Sequence, residues 1–470
     1  MLINRFIEKV RAELKFEPTD SQKKLIEKLA DFVMLPRDGE VFILRGYAGT
    51  GKTSTISAMV KTMQEFKIKF VLLAPTGRAA KVLSAYSGSQ AYTIHKKIYR
   101  QKSANDGFGK FMLDANLHTR TFFIVDEASM ITNSGNDGSV FGTGALLNDL
   151  VRYMQNNRNC NLILIGDTAQ LPPVGLSVSP ALDPKELKFL VNSLYGEILR
   201  EVVRQANDSG ILSNATYIRG KIDNDDTSLP LFSLGNFPDI IALNGTELIE
   251  CLSESYDRVG IKNTLVVCRS NKRANQYNQG IRSQILWCEE ELSPGDLLMI
   301  VKNNYFWMKD FPKTDFIANG DIVELIRVQK YIDLYGFRFA SCTVRLVDYN
   351  IELDTLLLLD SLHSEAASLT VEENKKFFYT ILEDYAHLKP RKKQYEQVKN
   401  NEYFNALQVK YANAVTCHKA QGGQWQEVYI DAGYLTKEMI DKEYLRWLYT
   451  AVTRATEKVY LVGFKDEYLK

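Results

Sequence analysis

Gly46-Tyr-Ala48-Gly49-Thr50-Gly51-Lys52-Thr53-Ser54 decides how this chain folds. The apolar run Val41-Phe-Ile-Leu44 precedes it, and Ser54-Thr-Ile-Ser-Ala-Met-Val60 reads as a helix after it. Strand, glycine loop and helix with the spacing G-x-x-x-x-G-K-T form a phosphate cradle. The glycines let backbone N–H groups turn inward around a triphosphate. Lys52 reaches the β- and γ-phosphates, and the Thr53 hydroxyl holds Mg²⁺. The phosphates also sit at a helix N-terminus, whose partial positive charge favours them. The bland alternative, a chance glycine-rich turn, does not account for the strand before it and the helix after it. The chain is therefore expected to bind a nucleoside triphosphate with Mg²⁺ through Gly46, Ala48, Gly49, Thr50, Gly51, Lys52, Thr53 and Ser54.

Bulk properties set bounds. At 470 residues the chain is too long for one ordinary domain, and about three are expected from length. Hydrophobic content of 45% and charged content of 24% are globular values. A net charge of +1 carries no basic signature, so any nucleic-acid site must be a local patch. The six cysteines are scattered without a C-x-x-C pair and read as reduced thiols of a cytoplasmic protein. The opening Met1-Leu-Ile-Asn-Arg-Phe-Ile-Glu-Lys-Val10 has charges inside any apolar core, unlike a signal peptide. No apolar run approaches the ~18 residues of a membrane span, so no membrane partner is expected.

Further strands end in polar tips. Thr121-Phe-Phe-Ile-Val-Asp126-Glu127 closes on two acids. Downstream of a phosphate loop, the first acid holds Mg²⁺ through water and the second orients or deprotonates the attacking water. Asn161-Leu-Ile-Leu-Ile-Gly-Asp167 runs on to Gln170, which either reports a γ-phosphate or is a solvated residue of a Pro-rich turn. Lys69-Phe-Val-Leu-Leu-Ala74 leads into Pro75-Thr76-Gly-Arg78. Strands alternating with helical patterns imply an α/β fold with a parallel, doubly wound sheet and ligands at the carboxyl ends of its strands. Thr264–Cys268, Glu427–Asp431 and Lys458–Val462 supply strands of a second lobe that has no phosphate loop of its own. That arrangement makes sense if the nucleotide sits between the lobes.

The ordered motifs are Gln22, the phosphate loop, Ala74-Pro-Thr-Gly-Arg-Ala-Ala, Thr93-Ile-His95, Val125-Asp-Glu-Ala-Ser and Gly166-Asp-Thr-Ala-Gln-Leu-Pro-Pro-Val. They continue with Glu201-Val-Val-Arg204-Gln, Ala414-Val-Thr-Cys-His-Lys-Ala-Gln-Gly-Gly-Gln-Trp425 and Leu448-Tyr-Thr-Ala-Val-Thr-Arg454-Ala. In this order they resemble the superfamily 1 DNA helicases of the RecD-like group over nearly the whole chain. The resemblance implies two RecA-like doubly wound parallel-sheet lobes, with a β-hairpin insertion in the first and a small β-barrel plus helical arm in the second. The expected bounds are 1–204 for the first lobe, with the hairpin at 96–120. The second lobe takes 205–294 and 408–470, around a barrel at 295–360 and an arm at 361–407.

The resemblance also implies ATP as the nucleotide, hydrolysis coupled to 5′→3′ translocation on single-stranded DNA, and duplex unwinding. Lys52, Glu127 and Gln170 then act on the phosphates and water. Arg204 and Arg454 serve as arginine fingers, the alternative for each being a surface ion pair. Gln22 reads the adenine edge, although a glutamine at a helix start would otherwise be placed facing solvent. Gln424 stands where relatives carry an acid near the ribose. Pro75, Thr76, Arg78, Thr93, His95, Thr416, His418 and Lys419 match the single-strand groove. Short hydroxyls, neutral histidines and backbone N–H groups suit phosphate contacts that read no sequence. For His95 and His418 the alternative is a core or capping histidine, and Trp425 is expected to pack beneath its motif rather than stack on a base.

Two insertions complete the reading. Asp106-Gly107 between short β-prone segments is a hairpin signal; the resemblance places a strand-separating pin there, with Phe108 or Phe111 as its wedge. Leu297–Val301, Asn319–Ile326 and Phe337–Leu346 carry strand patterns, and Thr370–Phe404 is charged and helical with Tyr and Phe interleaved. That segment is either a DNA-contacting face or an exposed arm. The expected partners are single-stranded and forked DNA, with unidentified replication, repair or recombination proteins. Two other classes compete: a P-loop phosphotransferase, which leaves Arg454 and the C-terminal motifs unexplained, and a nucleic-acid clamp whose ATPase is a switch. RNA stays open as the strand, since nothing here reads a 2′-OH.

Overall fold

Apolar runs buried on both faces are what a parallel sheet covered by helices requires. In the computed structural model, which describes residues 2–14, 16–101, 111–133, 142–202, 209–235, 237–308 and 316–470, these runs assemble two such sheets. The first contains β1 (Val41–Gly46), β2 (Lys69–Ala74) and β3 (Ala91–Thr93). After the antiparallel pair β4 (Tyr99–Gln101) and β5 (Phe111–Leu113), it continues with β6 (Thr121–Val125), β7 (Asn161–Gly166) and β8 (Leu194–Leu199). Its order is β3-β2-β6-β7-β1-β8, with every pairing parallel. Alternate residues of one strand feed opposite cores: Phe123 and Val125 pack on one face, Phe122 and Ile124 on the other. Strand β8 escapes the sequence reading. Gly196 lets it lie against β1, because a Cβ there would come within 2.8 Å of the Ile43 carbonyl oxygen.

The second lobe begins with β9 (Ile240–Leu243) and β10 (Thr264–Cys268). The chain then leaves to build a closed barrel from β11 (Leu297–Ile300), β12 (Ile322–Leu334), β13 (Phe337–Leu346), β14 (Ile351–Leu358) and β15 (Leu407–Tyr411). It returns as β16 (Ala414–Thr416), β17 (Trp425–Asp431) and β18 (Ala455–Val462), giving a parallel sheet of order β16-β10-β17-β18-β9. The architecture is the expected pair of RecA-like lobes with a barrel and arm in the second.

Two details differ from the sequence reading. The barrel does not end near residue 360: β15 closes it, antiparallel to β11 and parallel to β14, so the helical arm is a loop between two barrel strands. Nor is the arm simply exposed: two of its aromatics are buried, while Tyr379 stays on the surface. Phe377 and Phe378 of the helix Val371–Asp384 are buried with Phe339 of the barrel, beside Tyr403 and Phe404. Apolar rings clustered on one side of a helix bury themselves where a partner surface exists. All six cysteines are free thiols. Among the described residues, no helix is long and apolar enough to cross a membrane.

A buried ion pair joins barrel to lobe. Arg282, in the helix Asn271–Gln284, meets both oxygens of Asp296 at 2.9 Å, just before β11, and stacks on the Tyr411 ring. Removing one partner of such a pair leaves an uncompensated buried charge. Asp296→Ala is expected to lower stability by about 3–5 kcal/mol, seen as a lower urea midpoint and faster hydrogen exchange in β11 and β12. Replacing the pair by Met and Leu should cost less. Equal losses in both variants would show that packing, not charge, makes the joint.

Candidate nucleotide site and nucleic-acid groove

The phosphate loop joins β1 to the helix Lys52–Glu65. Gly49 and Gly51 take left-handed backbone angles, φ +73° and +77°, which only glycine adopts without strain. The Lys52 ammonium donates to the Tyr47 carbonyl at 2.9 Å and so lies across the loop. Gly49, Gly51, Lys52, Thr53, Ser54 and Ala48 line a cavity of about 310 Å³. Gly46 and Thr50 stand behind it as supports: a Cβ on Gly46 would meet the Lys52 stem at 2.9 Å, and the Thr50 hydroxyl donates to Tyr47 O.

The carboxyl ends of the neighbouring strands supply the opposite wall. Asp126, Glu127 and Gln170 all face the cavity. Burial first, and then the Glu127 charge, push the Asp126 carboxyl up to about 6. Its Oδ1 accepts the Glu127 N–H at 2.9 Å. The half-buried Asp126 carboxylate and the Thr53 hydroxyl, which line the same cavity, are hard oxygen donors of the kind that suits Mg²⁺. Glu127 itself holds φ +52°, a left-handed angle rare outside glycine and concentrated at functional sites. The Gln170 side chain is almost fully buried, yet its Oε1 has no hydrogen-bond partner among the described residues.

The second lobe closes the same cavity with Gly422, Gly423, Gln424 and Arg454. The Arg454 guanidinium donates to the carbonyls of Thr450 (3.0 Å) and Gly423 (3.2 Å) within its own lobe. Gln424 lies within 3.5 Å of the Tyr86 hydroxyl. Arg204 falls outside the described residues. Gln22 departs from expectation: it neither faces solvent nor lines the cavity. Its amide is fully buried, donating to Thr50 O and accepting from Thr19 N–H, both at 2.9 Å, so it braces the loop from behind.

A second cavity of about 340 Å³ runs alongside. Pro75, Thr76, Arg78, Thr93, His95, His418 and Lys419 line it, and Thr416 faces an adjoining crevice with Lys419. Thr76 and Thr93 spend a hydroxyl lone pair capping helices, accepting from Ala79 N–H and Lys96 N–H, so helix N-termini open onto the groove. Burial holds the His95 imidazole down at about 4 and lowers His418, leaving both neutral at pH 7. Trp425 packs beneath Arg78, whose guanidinium carbon lies 3.9 Å from the ring centre. Phe111 does not stand free as a wedge: it is buried, its ring 4.4 Å from that of Tyr305. Phe108 and the Asp106-Gly107 turn lie outside the described residues.

Sequence reasoning missed Tyr449. Its hydroxyl donates to Asp167 Oδ2 at 2.7 Å and accepts the Ala48 N–H at 2.8 Å, bridging the lobes at the phosphate loop. The signal was a tyrosine hydroxyl among the buried residues of the helix Lys442–Val452, legible only once partners are known.

Two family models match the chain: an AAA domain over residues 18–222 and a UvrD-like helicase C-terminal domain over 411–462. The chain is 24% identical to the ATP-dependent RecD2 DNA helicase of Deinococcus radiodurans, over 95% of this chain and 50% of that one. It is 24% identical to the ATP-dependent DNA helicase dda of Enterobacteria phage T4, over 61% and 62%. It is 23% identical to the uncharacterized protein R530 of Acanthamoeba polyphaga mimivirus, over 95% and 99%. The chain thus spans nearly all of the mimivirus protein but only half of the Deinococcus helicase. A phosphate loop in one lobe, acids at the tip of β6 two strands away and a second lobe completing the cavity define a P-loop ATPase with paired RecA-like lobes. Within that class, the motif order and these relatives make the chain similar to the helicases of the RecD-like group.

The orphaned Gln170 oxygen yields a test. A buried polar atom without a partner costs stability rather than adding it. Gln170→Leu is expected to leave thermal stability within about 1 kcal/mol of the parent, or to raise it, while ATP turnover falls. A large loss of stability would show that the side chain holds the fold.

Proposed function

We propose that this chain hydrolyses ATP between its lobes to step 5′→3′ along single-stranded DNA and unwind duplex ahead of it. One observation carries the reading: the nucleotide cavity and the groove share a wall. Ala79, Gly422, Gly423 and Gln424 face the cavity, while Thr76, Arg78, Gln421 and Trp425, from the same two segments, face the groove. One segment belongs to each lobe. Closure around a nucleotide therefore moves groove contacts of both lobes relative to each other, and alternating affinity converts that movement into steps.

In this reading Lys52 stabilises charge on the β- and γ-phosphates. Thr53 and Asp126 would hold Mg²⁺, which when bound neutralises phosphate charge. Glu127 orients or deprotonates the water. Gln170 offers its unpartnered oxygen to the γ-phosphate end of the site, where it can hold that water. Arg454, already at the cavity wall, and Arg204 supply positive charge to the transition state. Gln424 lies near the sugar. In the groove, capped helix N-termini, neutral histidines and Lys419 suit a phosphate backbone held without base readout. The polarity rests on the family resemblance, and a cytoplasmic setting accords with it.

Turnover measured without nucleic acid, with single-stranded DNA and with single-stranded RNA tests the proposal. DNA should stimulate strongly and RNA weakly; no stimulation would favour a phosphotransferase, and equal stimulation would undo the choice of DNA. Lys52→Ala should abolish hydrolysis, and Glu127→Gln should still bind ATP but not turn it over.

The wedge is separately testable. With Phe111 packed on Tyr305, Phe108 is left as the candidate tip. Phe108→Ala should leave DNA-stimulated turnover and single-strand translocation near the parent rates while forked-duplex unwinding drops sharply. Equal losses in a stopped-flow translocation assay and an unwinding assay would place Phe108 in the fold or the DNA track instead.

A further inference from the structure

The bonds around Tyr449 form a chain across the lobe interface. Its ring is 1% exposed. Its hydroxyl joins the Ala48 N–H of the phosphate loop to Asp167 Oδ2, at 2.8 and 2.7 Å. The other oxygen of Asp167 accepts the Ala169 N–H at 2.9 Å and so shapes the turn that carries Gln170. The next residue of the same helix, Thr450, accepts the Leu171 N–H at 2.9 Å, and Gln421 donates to Leu171 O at 2.7 Å. Thr450 O in turn accepts from Arg454 Nε at 3.0 Å. One stretch of the helix Lys442–Val452 thus grips the loop and the Gln170 turn from the second lobe and anchors Arg454.

We infer that Tyr449 is a positioning residue: its hydroxyl sets the register of the helix on the first lobe, and so places Gln170 and Arg454 together at the γ-phosphate end of the site. This rests on the ATPase reading above. Phenylalanine would fill the same space but strand a buried N–H and a carboxylate oxygen, and would let the helix settle in more than one register. Such a fault acts on the geometry of the transition state rather than on nucleotide binding.

The test is ATP turnover of the full chain with saturating single-stranded DNA. Tyr449→Phe should lower kcat about tenfold, the worth of roughly one hydrogen bond in the transition state, with affinity for a non-hydrolysable ATP analogue within about twofold. Combined with Arg454→Ala, it should be no slower than Arg454→Ala alone, because both act through one arrangement. Thr450→Val should behave like Tyr449→Phe, and Thr450→Ser should restore the rate. An unchanged kcat, a parallel loss of analogue binding, or additive losses with Arg454→Ala would each overturn the inference. If Tyr449→Phe loses its cooperative unfolding transition, the Thr450→Val and Thr450→Ser pair decides by the same criteria. Failure of the ATPase reading would look different: the parent chain itself would show no turnover.

Discussion

A triphosphate site that neither lobe can complete alone is the constraint on which this molecule is built. The first lobe brings the loop, the Lys52 ammonium and the acids; the second brings the Gly422–Gln424 wall and Arg454. Backbone N–H groups at a helix N-terminus attract anionic phosphate. A guanidinium from the opposite side adds charge only if the gap is narrow. In the proposed reading, binding energy would go into drawing the lobes together, and relative motion would be a consequence of where the site lies.

That constraint explains the chemistry of the interface. A purely apolar joint would lock, and a purely hydrated one would transmit nothing. Here Tyr47, Ala169 and Leu171 of the first lobe enter the apolar core of the second. Around them lie directional bonds, among them Tyr47 to Asp223 at 3.1 Å and Leu171 to Thr450 at 2.9 Å. Hydrogen bonds fix register because their strength falls steeply with angle and distance, while apolar contact tolerates small sliding.

The two parallel sheets were legible because their central strands are unbroken apolar runs ending in polar tips. Strand β8 was not, since Gly196 and Glu197 interrupt its run and only proximity to Ile43 explains the glycine. The barrel's closing strand was hidden for a different reason. Gln408 and Lys410 interrupt its apolar pattern, yet both are buried: Gln408 accepts from Leu369 N–H and Lys410 donates to Ser361 O. Polar residues satisfied by distant backbone look like surface in one dimension. Tyr449 is the extreme case, with partners 282 and 401 residues away. What sequence conveys is local pattern and motif order; which buried polar group meets which is settled by topology.

Topology also determines what the barrel does. It is inserted in the second lobe and pinned there by Arg282 and Asp296, yet it reaches the first. Lys81 pairs with Asp348 at 3.0 Å, Phe111 packs on Tyr305, and Gly77 leaves room for Asp321, whose Oδ1 would lie 2.3 Å from a Cβ at that position. Between these contacts, Asn303, Phe316 and the Ala318–Gly320 turn form one side of the groove. An insertion held by one lobe and resting on the other cannot stay still when the lobes shift. Its first-lobe contacts differ in kind: an exposed ion pair is weak and salt-screened, whereas the Phe111–Tyr305 stack is apolar. The apolar contact lies at the first residue of β5, in the antiparallel pair β4–β5. Any relative movement of the lobes would therefore reach the groove through the barrel as well as through the wall shared with the nucleotide cavity.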